Sequence, residues 1–245
     1  MDGTGAEKTV ASLLRMNEAD RETARRHEAI WEEFRRQPEV SPRTGRLPLP
    51  PEVTATAGFV IPVDDAAVRR LLQQVVSRLE PTGCVTSFPP DYWHITIVPP
   101  VLLTRAGTVP TGMLPESFAE EAVEKARKAV RGLGAFDVAI RGLNAFRDVL
   151  VAVPYDGGRG LELGRILRSA VPEFPERYRD GHEPLPHISL TQYARDNRLE
   201  EMVELVLKER ETDLGRFRSR HLEMFVLPWH EGVPGRVEKH IIPLD

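Results

Sequence analysis

The chain has 245 residues, of which 41% are hydrophobic and 29% are charged. This ordinary globular composition excludes disordered, collagen-like and coiled-coil proteins, and the length suits one large or two small domains with a substantial core. No stretch approaches the ~20 apolar residues that a membrane span requires, and residues 1–5 do not resemble a secretory signal. Because the lone Cys84 cannot form an intramolecular disulfide, we expect a reducing, cytoplasmic location.

The net charge of −4 bears on the class of ligand. Proteins that bind long nucleic acids through phosphates usually carry a strong basic excess. We therefore expect a nucleotide or a short RNA phosphate as substrate, and neither DNA nor a membrane as partner. The oligomeric state is left open.

Residues 1–40 are predicted to form a helical extension, with Asn17 as a helix cap. A narrow apolar stripe recurs at helical spacing: Val10, Leu13, Leu14, Ile30, Trp31 and Phe34. Residues 41–53 are predicted to be a proline-rich connector, because clustered prolines remove backbone donors and fix φ. The extension carries no chemical motif, so we expect a packing or oligomer contact, or alternatively a ligand lid or a partner-binding helix. The site is expected to form without it.

The rest of the chain alternates between two kinds of predicted element. Strands are predicted at 56–63, 92–98, 136–143, 149–153, 187–193, 221–227 and 237–242. Helices are predicted at 64–79, 116–131, 158–170 and 197–209, the first of them capped by Asp64. This alternation favours an α/β or α+β sheet protein.

An internal repeat is the most informative feature of the sequence. Residues 60–64, Val-Ile-Pro-Val-Asp, return as Ala-Val-Pro-Tyr-Asp at 152–156, an offset of 92. The segment His-Ile-Thr-Ile at 94–97 returns as His-Ile-Ser-Leu at 187–190, an offset of 93. A shared period predicts two similar lobes, at about 54–146 and 147–245, within one domain over 54–245.

The second repeated segment predicts a catalytic site. Side chains two residues apart share one face of a strand, so each motif presents one imidazole and one hydroxyl. Of two imidazoles, one can accept a proton from an attacking oxygen while the other donates one to the leaving oxygen. The hydroxyls can bind phosphate oxygens. The predicted catalytic residues are His94 and His187, and the predicted phosphate-binding residues are Thr96 and Ser189. This chemistry requires no metal or cofactor.

Further residues are placed near this site by the same period of two. Tyr92 and Tyr193 fall on the faces of the two histidines and could stack on a base or ribose, with ordinary rim packing as the alternative. Thr191 follows the second motif and is a further candidate for lining the substrate. Phe146 is expected to pack in the core or between the lobes.

The two His-x-Thr/Ser-hydrophobic motifs resemble those of the two-histidine (2H) phosphoesterase superfamily. This superfamily includes bacterial RNA 2′,3′-cyclic phosphodiesterases, which are also called 2′-5′ RNA ligases. The Gly-Leu-Asn-Ala-Phe segment at 142–146 resembles a Gly-x-x-x-Phe segment common between the lobes. The resemblance covers roughly 54–245. It implies a bilobal α+β fold with a central V-shaped cleft, metal-independent catalysis, and an active site formed by both histidines and both hydroxyls.

These observations together predict a cyclic phosphodiesterase. The expected reaction is hydrolysis of a cyclic phosphate or phosphodiester, with a 2′,3′-cyclic nucleotide or an RNA 3′ end as the leading substrate. Two alternatives remain: a nucleotide-binding or interaction module with little turnover, and an enzyme that acts on a non-RNA phosphate. The base and the acid are not assigned between the two histidines.

Overall fold

The computed structural model describes residues 16–42, 49–178, 184–230, 233–234 and 237–244. The predicted helix before residue 16 and part of the connector, residues 43–48, lie outside this range. The α-helices in the described part of the chain are α1 Glu18–Arg36, α2 Ala66–Leu79, α3 Phe118–Ala129, α4 Arg159–Ala170 and α5 Leu199–Glu209. Two 3-10 turns span Glu80–Thr82 and Pro90–Tyr92.

The strands form one mixed sheet. They are β1 Ala55–Pro62, β2 Val85–Ser87, β3 His94–Thr96, β4 Val101–Thr104, β5 Leu114–Pro115, β6 Phe136–Ala145, β7 Val149–Tyr155, β8 Ile188–Tyr193, β9 Asp213–Ser219, β10 His221–His230, β11 Val233–Pro234 and β12 Glu238–Pro243. The main order is β11-β10-β1-β3-β8-β7-β6-β9, while β12 pairs with β10, β2 with β8, and β4 with β1 and β5. The predicted α+β class is confirmed.

The two halves of the sheet meet where β3 pairs with β8. On one side, β1 lies between β3 and β10, and on the other, β7 joins β8 to β6 and β9. Strands β10 and β12 come from the end of the chain yet belong to the half that contains β1. The lobes are therefore interleaved in sequence, which corrects the predicted division into contiguous segments 54–146 and 147–245.

Helices cover the sheet so that the motif strands are buried on one face. Helix α3 packs against β10, β12 and α4, whereas α2 packs against β9, β8 and α5. Ile95 and Ile188 are buried in the resulting hydrophobic core, whereas His94 and His187 are half-buried. Alternation along each strand thus separates core positions from cleft positions.

Local capping agrees with the sequence at one helix and differs at another. The Asn17 side chain accepts a hydrogen bond from the Asp20 amide at 2.9 Å, as predicted for a cap. Helix α2 is capped by Asp65 rather than Asp64, because the Asp65 carboxylate accepts from the amides of Ala67 and Val68 at 2.9 and 3.0 Å. Satisfying these first amides is what selects the cap position.

Several elements differ from the sequence-based prediction. The strand predicted at 92–98 is reduced to β3, because Pro90–Tyr92 form a 3-10 turn and prolines follow at 99 and 100. Strands β2, β4 and β5 are short and were not predicted, nor was β9, the edge strand that carries Arg216 and Arg218. Among the described residues, no helix combines the length and apolar character needed to cross a membrane.

Candidate active site

The strand pair β3 and β8 brings the two motifs together in a crossed arrangement. Ile95 is the antiparallel partner of Ile188. Continuing that register by one residue in each direction places His94 opposite Ser189 and Thr96 opposite His187. Directly opposed Cβ atoms lie about 4.5–5.5 Å apart and diagonal ones about 7–8 Å. Each imidazole therefore faces the hydroxyl of the other motif, and the two imidazoles occupy one diagonal.

Both imidazoles are oriented by the same backbone contact. His94 Nδ1 lies 2.5 Å from the carbonyl oxygen of Tyr92, and His187 Nδ1 lies 2.8 Å from that of Leu185. Because a carbonyl oxygen can only accept, each Nδ1 carries the proton, and each neutral ring keeps Nε2 as its acceptor. The internal repeat thus extends to the tautomer of the two rings.

Electrostatic surroundings distinguish the two rings. The pKa of His94 is lowered to about 4, mainly by burial and in addition by the charges of His187 and Lys239, while the hydrogen bond to the Tyr92 carbonyl acts in the opposite direction. Burial also lowers the pKa of His187, but there the Leu185 carbonyl and the negative charge of Asp148 act in the opposite direction. A nearby cation favours the neutral form of His94, whereas a nearby anion favours the protonated form of His187.

An aromatic crevice lies on the His94 side of the site. The Tyr92 ring contacts the His94 ring edge-on at 5.2 Å and the Phe88 ring at 5.1 Å, and Phe225 lies 6.1 Å from His94. Tyr92 is beside His94 as predicted, but it reaches that position from the 3-10 turn rather than from the strand. A Cβ atom at Gly58 would lie 3.0 Å from the Phe225 ring, so glycine leaves the space that this ring occupies.

Charged residues from the end of the chain complete this crevice. Lys239 on β12 pairs with Phe225 on β10 and forms a 2.9 Å ion pair with the nearly buried carboxylate of Glu223. Lys239 also approaches the Asp91 carbonyl oxygen at 3.4 Å. No local sequence pattern marks Phe225, Glu223 or Lys239 as site residues. Alternation places them on one face of their strands, but only the sheet order shows that this face adjoins His94.

A β-bulge removes two predicted residues from the open cleft. On β8, Ser189 pairs with Val151 and Thr191 with Leu150, so β8 contains one extra residue between these pairs. The period of two does not continue through such a bulge. Tyr193 is 0% exposed and belongs to the hydrophobic core, and Thr191 is equally buried. The prediction that Tyr193 and Thr191 line the substrate site is therefore corrected.

Helix α1 forms the neighbourhood of His187. It packs on β6 and β7, and its buried His27 lies with Nε2 2.9 Å from the Pro186 carbonyl oxygen. The Phe146 ring contacts His187 edge-on at 5.2 Å and stacks on His27 at 5.9 Å. Phe146 thus separates two imidazoles instead of filling the core. Asn144 donates a hydrogen bond to His27, a contact that was not predicted because no local pattern connects residues so distant in the chain.

A family model described as the 2'-5' RNA ligase superfamily matches residues 93–227. The chain belongs to this superfamily. The matched segment contains both motifs and more than half of the chain, so the resemblance to the 2H phosphoesterases is confirmed. Members of the 2'-5' RNA ligase superfamily are phosphoesterases or ligases, which supports an enzyme of this kind. A search of the curated proteins gives no significant match.

Solved structures confirm the 2H phosphoesterase fold. TT0787 of Thermus thermophilus is similar with a TM-score of 0.56 and 17% identity, over 76% of this chain and 97% of that one. The structure of Escherichia coli LigT with ATP has a TM-score of 0.51 and 16% identity, over 77% and 95% of the two chains. The LigT structure with 3'-AMP has the same TM-score and coverage with 14% identity.

Proposed function

We propose that the protein is a metal-independent phosphoesterase that hydrolyses a cyclic phosphate or phosphodiester, with a 2′,3′-cyclic nucleotide or an RNA 3′ end as substrate. The observation that carries this proposal is the crossed register of the motifs, in which each imidazole faces the hydroxyl of the other strand. A phosphorus atom on the line between the imidazoles lies within reach of a base, an acid and two hydroxyl donors. This is the set of groups that in-line displacement requires.

The different surroundings of the rings support His94 as base and His187 as acid. Neutral His94 takes a proton from water at Nε2 while the water oxygen forms a bond to phosphorus. The bond from phosphorus to one ribose oxygen breaks, and that oxygen takes the proton from Nε2 of protonated His187. Water is consumed and a phosphate monoester is formed. The anionic substrate favours protonation of His187, in the same sense as Asp148.

Binding of a nucleoside in the His94 crevice is consistent with its lining. Tyr92 and Phe225 offer aromatic surfaces, and the Lys239 ammonium, which is paired with Glu223, adds a hydrogen-bond donor beside them. Base–aromatic stacking contributes about 1–3 kcal/mol per base. LigT structures contain ATP and 3'-AMP, which supports a nucleotide as the class of ligand.

A nucleotide-binding module without turnover is the second candidate. The observation that favours it is the lowered pKa of both imidazoles, because general acid catalysis needs a protonated ring. In this case the cleft would bind its ligand and leave it intact.

The test is incubation of the full chain with each of the four 2′,3′-cyclic nucleotides in EDTA, followed by 31P NMR of the product. We expect a nucleoside monophosphate, and no product with a His94→Ala/His187→Ala double variant. Tight binding of the cyclic nucleotide without a product would support the binding module. If the nucleotides neither bind nor react, the substrate class is wrong.

A further inference from the structure

We propose that His27 is a positioning residue that acts from helix α1 on the backbone of His187, so that α1 is part of the catalytic unit. This inference rests on the proposed function, since it assigns His27 a role in that chemistry. Helix α1 packs on β6 and β7. Asn144 on β6 pairs with Val151, which pairs with Ser189, so α1 reaches the face of the sheet that carries the catalytic groups.

The tautomer of His27 is fixed by its neighbours. Asn144 Nδ2 lies 3.0 Å from His27 Nδ1 and 2.8 Å from the His27 carbonyl oxygen, and it donates to both. The Asn144 side-chain oxygen accepts from the Ala145 amide at 2.8 Å, which sets the orientation of this side-chain amide. His27 Nδ1 is therefore an acceptor, and Nε2 carries the proton that it donates to the Pro186 carbonyl oxygen.

The segment before His187 depends on such contacts because of its composition. Pro184 and Pro186 have no backbone N–H and cannot join the sheet as donors. Three successive carbonyl oxygens instead accept from side chains: that of Pro184 from Arg26 at 3.4 Å, that of Leu185 from His187, and that of Pro186 from His27. Two of these three donors lie on α1, so the helix fixes the peptide that leads directly into His187.

Ring contacts add a second connection to the same side chain. Phe146 lies between His27 and His187, stacked on the first ring and edge-on to the second. His27 is only 2% exposed, and burial lowers its pKa to about 4. It therefore remains neutral near pH 7 and keeps one donor and one acceptor, as both of its partners require.

Helix α1 is itself firmly anchored to the sheet. Trp31 is buried, and the Arg210 guanidinium lies 4.9 Å above its ring. Arg210 also forms an ion pair with Glu28. After the helix, the Ser41 amide donates to the Arg147 carbonyl oxygen at 2.6 Å, at the hairpin between β6 and β7. Because α1 is held in place by these contacts, His27 can hold the Pro186 peptide in a fixed position.

Two amide substitutions separate positioning from packing. In His27→Gln the amide nitrogen stands near the place of Nε2 and can still donate to Pro186. In His27→Asn the side-chain oxygen takes the place of Nδ1 and can still accept from Asn144, but the shorter side chain leaves no donor within reach of Pro186. We expect His27→Asn to lower kcat by about 10²-fold with little change in KM, because misplacement by about 1 Å has that effect. We expect His27→Gln to keep most of the activity. Thr23→Ala, a buried change on the same helix, serves as the packing control.

The NMR signals of the His187 imidazole distinguish positioning from packing, because a purely structural role of His27 would leave them unchanged. In 15N-histidine spectra, we expect the Nδ1–H signal and the titration of His187 to change in His27→Asn and to be retained in His27→Gln. The inference is overturned if folded His27→Asn keeps wild-type kcat and His187 signals, or if activity follows only the melting temperature across the three variants. If no substrate is turned over, the proposed function fails, while the spectra still decide the role of His27.

Discussion

His94 and His187 are anchored alike, each through Nδ1–H to the carbonyl two residues earlier, but the regions around them differ. The His94 side is a crevice with aromatic rings and the Lys239–Glu223 ion pair. The His187 side is supported by α1, with Phe146 and His27 behind the ring. Duplication supplies two equivalent imidazoles, and the different surroundings can give them different tasks. Substitutions on the two sides should therefore have different effects.

The largest effects are expected from the imidazoles themselves. His94→Ala and His187→Ala should each lower kcat by ~10²–10⁴-fold, and the double variant should lose much less than the product of the two effects, because the groups act together. A phosphodiester with a nitrophenolate leaving group sharpens the comparison. Such a leaving group needs little protonation, so it should restore activity to His187→Ala and not to His94→Ala. Restoration in His94→Ala instead would reverse the assignment of base and acid.

The hydroxyl groups should give the next largest effect. Thr96→Val keeps the shape of the side chain but removes the donor to phosphate, which should cost about 2.7–4 kcal/mol of transition-state stabilisation. Thr96→Ser keeps the donor and is the matched control. We expect kcat to fall in the valine variant alone, with circular dichroism unchanged in both. Equal losses in the two variants would indicate that the methyl group, not the hydroxyl, is what the site requires.

The two motifs could be predicted from the sequence, whereas the different surroundings of the two histidines could not. His94, Thr96, His187 and Ser189 were identified because alternation and an internal repeat are local patterns. The bulge that buries Tyr193 depends on the register between β8 and β7, which no pattern within β8 specifies.

Contacts between residues that are distant in the chain also could not be predicted from the sequence. His27 bonds to a residue 159 positions away, and Lys239 comes near His94 only because β12 pairs with β10 and β10 with β1. The sequence indicated that residues 1–40 were separate from the site, because they carry no motif. In the structure, α1 lies beside His187. The sequence could not predict this contact, because the apolar stripe that predicts a helix does not indicate the surface on which the helix packs.

The burial of His27 on α1 should make the free energy of unfolding depend on pH. Burial lowers the pKa of His27 from 6.5 to about 4, so below pH 6.5 the unfolded chain takes up a proton that the folded protein does not. The free energy of unfolding should therefore fall as the pH drops from 6.5 to about 4, by about 3 kcal/mol for this ring. Urea unfolding of wild type and His27→Gln at both pH values measures this contribution. His94 titrates in both proteins, so equal pH dependence would contradict an effect from His27.

The smallest effect is expected from Lys239, the cation on the His94 side of the site. Lys239 lowers the pKa of His94, so Lys239→Met should raise it. Activity requires neutral His94 and is lost as the pH falls through its pKa, so the acidic limb of kcat/KM should move to higher pH by less than about one unit. Lys239→Arg keeps the charge and should leave the limb in place.

The substitution also removes the lysine partner of the Glu223 carboxylate, which then keeps only His221 Nε2 at 3.8 Å. A less compensated anion would raise the His94 pKa in the same direction. The Lys239→Met/Glu223→Gln double variant separates the two causes. If its acidic limb returns to the wild-type position, the shift in Lys239→Met comes from Glu223. If the shift remains, the cation itself keeps His94 neutral, as its role as base requires. A shift of the limb to lower pH in Lys239→Met would contradict the electrostatic difference between the two histidines.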